Sequence, residues 1–137
     1  MASLEELAKQ NGNLDDDLIS YLQDLTRTWG LLADLSFSDL LLYLSVDKDF
    51  VLLAHMRPTT STTLYRADLV GQKFEAQSRP LVSEAFDNAQ ISFGKVSMGA
   101  NREISVMAIP VIWQGRTVAV LASEKTLIGE PPRSEME

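Results

Sequence analysis

Two stretches of the chain constrain its fold more than any other feature, because each reads as a pair of strands closed by a tight polar turn. In the first, residues 39–46 (DLLLYLSV) form a short apolar run, Asp47-Lys48-Asp49 a turn, and residues 50–57 (FVLLAHMR) a second run. Both faces of each run are largely apolar, which predicts a sheet covered on both sides. In the second, residues 102–113 and 117–124 are rich in β-branched side chains and flank Gln114-Gly115. Glycine there supplies the positive φ that tight hairpins use. Pro110 has no N–H to give to a ladder, so it predicts an edge position or a bulge in the first arm.

Helical patterns surround these hairpins. Leu4 to Lys9 suits one or two turns ended by Asn11-Gly12, and Asn13 reads as the cap of a second helix. Asp15, Asp16 and Asp17 follow, where carboxylates favour the positive end of a helix dipole better than they suit a hard-metal site. Leu18, Leu22, Leu25, Trp29 and Leu32 recur at alternating spacings of four and three, a heptad-type seam on a long N-terminal helix of about five turns. Gly30 weakens the end of that helix, and residues 34–38 are expected to break it. The seam packs on the chain's own sheet, which needs a cover, or meets a second copy of the helix in a dimer. Further on, Pro80 suits a first helical turn, and Leu81, Val82, Ala85, Phe86 and Ala89 give one apolar face. Residues 58–63 read as a polar loop, Leu64-Tyr65 as a short strand, Val70-Gly71 as a bend, and residues 91–101 as a weak strand or loop.

The order of helix, hairpin, loop, helix and hairpin predicts an α+β fold, an antiparallel sheet of about five to six strands with helices packed on it. Three segments are expected: 1–13 a short helix and turn, 14–126 the domain proper, and 127–137 a linker or tail rich in Pro and Glu. At 137 residues the chain has room for one domain with a real core.

Composition excludes several function classes. A net charge of −7 argues against nucleic acid as a partner. No apolar run reaches the ~18 residues of a membrane span, and the acidic N-terminus lacks a secretory pattern, so a cytoplasmic location with no membrane partner is expected. The absence of cysteine removes thiolate metal sites and thiol nucleophiles. There is no phosphate-binding glycine loop and no nucleophile elbow. The sole histidine, His55, lies in an apolar strand pattern, where packing or a hydrogen bond is its expected role. No metal or catalytic residue is assigned, no cofactor is required, and the chain is not expected to be an enzyme.

Particular stretches carry a family resemblance. These are WGLLADLSFSD at 29–39, RPT at 57–59, DLVGQ at 68–72, SRPLV at 78–82, and IPVI at 109–112 followed by GRTVAVL at 115–121. Their order and spacing resemble the GAF-like N-terminal input domain of a family of cytoplasmic sensor histidine kinases. In that family a PAS domain and then the kinase core follow. The resemblance implies a GAF/PAS-like fold and a regulatory role: binding a small molecule or partner and biasing downstream PAS and kinase domains in cis.

In GAF-type domains a ligand sits between the sheet and the segments that cross one face, which here means residues 57–101. Residues 57–102 hold six basic and four acidic side chains, the one stretch with a positive surplus. Guanidinium groups suit carboxylate or phosphate, so the candidate ligand is an anionic or nucleotide-like small molecule. His55, Arg57, Thr59, Thr63, Tyr65 and Arg79 are its candidate contacts, unless the arginines pair with the abundant acids or face water. Leu18, Leu22, Leu25 and Trp29 are the candidate packing or dimer residues. Two other readings stand beside this one: a protein–protein or dimerisation module with no ligand, and a PAS-like haem or flavin sensor with His55 as axial ligand.

Overall fold

The fold is described from a computed structural model that covers residues 4–12, 15–36, 38–56, 69–97 and 103–126. Two helices come first, α1 (Leu4–Gly12) and α2 (Asp16–Ser36). Strands β1 (Asp39–Val46) and β2 (Asp49–Met56) follow, then the two-residue strand β3 (Lys73–Phe74) and a single 3-10 turn at Ala76–Ser78. Helix α3 (Pro80–Asn88) leads into β4 (Ser92–Ser97), β5 (Glu103–Trp113) and β6 (Arg116–Thr126). The six strands form one antiparallel sheet in the order β3-β2-β1-β6-β5-β4.

Both hairpins form where the sequence places them, each with its own turn chemistry. Val46 pairs with Asp49 round Asp47-Lys48, and Asp47 takes φ 58, a conformation Asp tolerates better than most residues. Trp113 pairs with Arg116 round Gln114 and Gly115, whose φ values of 52 and 81 match a type I′ turn. The β5 register shifts between Val111 and Ile112, next to Pro110. The pairing with β4 ends at Ala108, so Pro110 lies where the outer side of β5 has no ladder to break.

Alternation along β1 sorts the core into two layers. Leu40, Leu42 and Leu44 pack with Leu7, Leu18, Leu22 and Leu53 beneath α1 and α2. Leu41 and Tyr43 face the other way, with Phe50, Leu52, Val82, Ala85, Val120 and Ala122, beneath α3. The sheet is therefore covered on both sides, as the two-faced apolar runs require. Leu18 and Leu22 of the α2 seam are spent on the chain's own sheet, with Leu25 and Tyr21 partly buried against the same layer.

Several local readings change. Asp15 caps α2: its Oδ1 accepts the Leu18 N–H at 2.9 Å and its carbonyl accepts the Ile19 N–H at 3.1 Å. Asn13 lies outside the described residues. The helical backbone runs through Gly30 and ends at Ser36. Ala89 is not on the buried face of α3; it ends the helix in the left-handed conformation, exposed, with φ 54. Residues 92–97, read as weak strand or loop, form the edge strand β4.

Candidate functional site

The α3 face of the sheet carries buried charge at one end. Asp39 and Glu124 are directly opposed across β1 and β6, and alternation puts both on the same face as Leu41, Tyr43, Val120 and Ala122. Asp39 is only 1% exposed and Glu124 3%. His55, opposite Leu41 on β2, reaches the same spot. Its Nε2 lies 2.6 Å from Asp39 Oδ2, with the imidazole N–H donating to the carboxylate, and the His55 side chain is 1% exposed. Two carboxylates and one histidine thus meet in an interior where unpaired charge is costly.

Beside them lies an aromatic cluster that fixes an arginine. Tyr43 makes edge-on contacts with Phe50 and Phe74, and Phe50 makes another with Phe86. The Arg79 guanidinium lies 4.5 Å from the centre of the Phe74 ring. Arg79 Nε donates to the Tyr43 hydroxyl at 3.2 Å, and Nη1 donates to the Ser78 carbonyl at 2.9 Å. Just upstream, the Ala76 N–H donates to Asp49 Oδ1 at 3.1 Å, tying the 3-10 turn to the start of β2.

Burial, and then the negative charge of Glu124, push the Tyr43 phenol up to about 12, against a smaller opposing pull from Arg79. The folded value exceeds the unfolded one, so this stabilising contribution is complete below about pH 10 and is lost as pH rises towards 12. Its size is about 2–3 kcal/mol. Urea unfolding from pH 8 to 11.5 is expected to show a steeper alkaline loss in the parent chain than in Tyr43→Phe. Parallel curves for the two proteins would mean that Tyr43 is not the group responsible.

A cavity of about 200 Å³ opens at the start of α3. Ser78, Arg79, Pro80, Leu81 and Val82 form one side, and Val96, Ser97, Ile104, Val106 and Glu124 form the sheet side. Among the described residues its wall is apolar except for Ser78, Ser97, Arg79 and Glu124.

Of the residues expected to contact a ligand, Arg79 lines this cavity and His55 lies on the same face, joined to Asp39. Arg57, Thr59, Thr63 and Tyr65 lie outside the described residues, and the side chain of Trp29 is likewise not described. Asp39, Tyr43 and Glu124 were not anticipated. The available signal was parity: Asp39 shares its strand face with Leu41 and Tyr43, and Glu124 with Val120 and Ala122, so each is an acid in an inward-facing row. No group of His, Asp or Glu among the described residues is arranged to hold a metal. No helix among them is long and apolar enough to cross a membrane.

Comparison with known proteins places this geometry in a family. A model described as the GAF domain of histidine kinase PdtaS matches residues 4–137. The sensor histidine kinase PdtaS of Mycolicibacterium smegmatis is 32% identical over 142 residues, covering 100% of this chain and 28% of that protein. PdtaS of Mycobacterium tuberculosis is 30% identical over 139 residues, covering 98% of this chain and 28% of its own length. Among solved structures, the sensor region of a sensor histidine kinase superposes with a TM-score of 0.72 at 30% identity, covering 97% of this chain and 44% of that one. The chain therefore spans about a quarter of the length of the curated relatives it matches.

Proposed function

Because the chain belongs to the GAF-domain family of the histidine kinase PdtaS, the sensor rather than the catalytic part of such a kinase, we propose that it receives a signal by binding a small molecule on the α3 face of its sheet. The observation that carries this reading is the cavity between α3 and β4–β6, with Arg79 and buried Glu124 in its wall. A ligand held there binds one arrangement of α3 against the sheet better than another and shifts the population towards it. Residues 127–137 lead to PAS and kinase domains in cis, which read that bias in the cytoplasm. An anionic or nucleotide-like ligand draws support from the basic surplus of residues 57–102 and from Arg79 in the cavity wall, with His55, Arg57, Thr59, Thr63 and Tyr65 proposed as further contacts.

A thermal-shift screen of nucleotides, cyclic nucleotides, small anions and amino acids tests the reading. A ligand at a hundred times its Kd stabilises by about 2.7 kcal/mol, enough to raise Tm by several degrees. The shift is expected to vanish in Val106→Phe, which fills the cavity. No shift with any class, together with unchanged autophosphorylation of a full-length kinase carrying Val106→Phe, would overturn it.

One observation favours a second reading, a dimerisation or partner-binding module without a ligand. Phe93 and Met107 are cross-strand neighbours on β4 and β5, and with Ile91 and Ile112 they are exposed apolar side chains, Phe93 to 73%.

A further inference from the structure

We propose that the outer edge of β4 is where a second copy of this chain adds its own β4, antiparallel and with Gly94 opposite Gly94, so that two six-stranded sheets join across a two-fold axis. The contact rests on the dimerisation reading, gives it a place in the fold and needs no ligand on the α3 face.

The two ends of the sheet are built differently. β3 closes one end with two residues, too short to serve as a template for another strand. β4 closes the other end with six residues, Ser92–Ser97, in unbroken register with β5 and without a proline. Alternate residues of such a strand turn their N–H and C=O groups away from β5. Among the described residues, no backbone group other than those of β5 pairs with residues 92–96. A regular, open edge of this kind is a template for a further strand.

Gly94 marks the place of the two-fold axis. The chain's own fold does not ask for glycine there. The glycines with positive φ are Gly71 and Gly115, and among the described residues a Cβ at position 94 meets only Leu81, at 3.6 Å, an ordinary contact. Glycine inside a strand weakens it and often marks close approach by another backbone.

Parity and charge select the register. A two-fold axis normal to the sheet keeps each face on its own side, so residues that pair must lie on the same face of β4. Centring the pairing on Lys95 sets two like charges directly opposite each other. Centring it on Phe93 engages only residues 92–94 of the strand. Centring it on Gly94 engages residues 92–96 and pairs Ser92 with Val96 and Phe93 with Lys95, each twice. Phe93 is 73% exposed and has Met107 beside it on β5. In this register Lys95 of the second copy flanks the ring on its other side, with its stem covering apolar surface and its ammonium attracted to the ring. Lys95 takes part in no salt bridge among the described residues, which leaves it available for that contact. One short pair of strands buries less than a standard interface, so the dimer is expected to be weak and concentration-dependent.

Sedimentation and amide hydrogen exchange of the 137-residue chain provide the test. The chain is expected to pass from monomer towards dimer as its concentration rises to about 1 mM, and amides within residues 92–96 are expected to gain protection while those of β3 do not. Phe93→Lys alters an exposed side chain and sets lysine against Lys95 twice, so it is expected to weaken the dimer about tenfold. Adding Lys95→Glu puts opposite charges across the same pair and is expected to restore the affinity to within about threefold. The chain has no cysteine, so a mixture of Phe93→Cys and Lys95→Cys reports the register: a disulfide between the two variants is expected to form faster than one within either. A chain still monomeric at about 1 mM overturns the edge pairing and the dimer reading together. A dimer indifferent to Phe93→Lys, with no added protection at residues 92–96, overturns the edge pairing and leaves dimerisation through another surface standing. Faster linking within either cysteine variant than between the two overturns the Gly94-centred pairing as well.

Discussion

His55→Ala is expected to destabilise the chain by about 1–3 kcal/mol, the scale on which taking a hydrogen-bond partner from a buried polar group registers. The reason lies in the environment. Asp39 is 1% exposed, accepts from His55 at 2.6 Å and stands directly opposite Glu124, itself 3% exposed. Without the imidazole, two like charges face each other across adjacent strands with one compensating donor removed. Against a typical stability of 5–15 kcal/mol, that loss is a large fraction of the whole. Asp39→Asn behaves differently, because two effects oppose. The amide keeps a neutral hydrogen bond to His55, worth about 1 kcal/mol, and it relieves the repulsion from Glu124. Its net change is expected to stay within about 1–2 kcal/mol. A double variant, Asp39→Leu with His55→Leu, is expected to recover most of what His55→Ala loses, since apolar replacement of a buried pair is often neutral or better. Urea unfolding of the three variants decides. A loss below about 1 kcal/mol in His55→Ala would show that the pair is not an interior charge site. These residues lie on the α3 face proposed to take a ligand, so the same measurements report how much stability rests on the polar groups buried there.

The sheet was legible from sequence because its signals are local. Residues 39–57 and 102–124 announce hairpins by composition and turn residues alone, and both hairpins form, each with one register shift along it. Pro80 and the apolar pair Val82 and Ala85 likewise fix α3 within a few residues. The edge strand β4 was harder, since Phe93 is an apolar side chain on the exposed side and Gly94 has no side chain, which blurs the alternation that marks a strand. The two-residue strand β3 has no pattern of its own and exists because Phe50 and Val51 offer an edge to pair with. The site was less legible than the fold. His55 and Arg79 were named by residue type, but their neighbours Asp39 and Glu124 lie 85 residues apart in sequence and meet only through the β1–β6 pairing. Glu124 reads as an ordinary strand-end acid until that pairing turns it inward. Charge counting sums over a segment, whereas a cavity wall samples a few residues from several elements, so the basic surplus of residues 57–102 could not point to Glu124.

Leu22→Ala is expected to cost about 2–5 kcal/mol, the range for removing a fully buried leucine and leaving a cavity. Leu22 is 0% exposed and packs with Leu7, Leu18, Leu40, Leu42 and Leu44, joining α1, α2 and β1 in one layer. The consequence reaches the dimer reading of α2. A seam that served two copies would leave these leucines available on the surface, but Leu18 and Leu22 are already taken by the sheet. Leu22→Glu would therefore unfold the domain rather than split a pair of chains. Among the described side chains of α2, Asp16, Asp17, Ser20, Asp24 and Arg27 are exposed, and a contact between copies along that part of the helix would have to use them. Urea unfolding of Leu22→Ala, run beside sedimentation of Ser20→Arg at high concentration, separates the roles. A loss near the stated range in the first variant fixes the seam as core. Less than about 1 kcal/mol, with the parent chain sedimenting as a dimer that Leu22→Ala disrupts, would return the seam to the interface. The distinction decides how a signal leaves the domain. Leu18 and Leu22 join α2 to the side of β1 opposite α3, so a signal that reaches α2 from the proposed ligand face has to pass through the sheet.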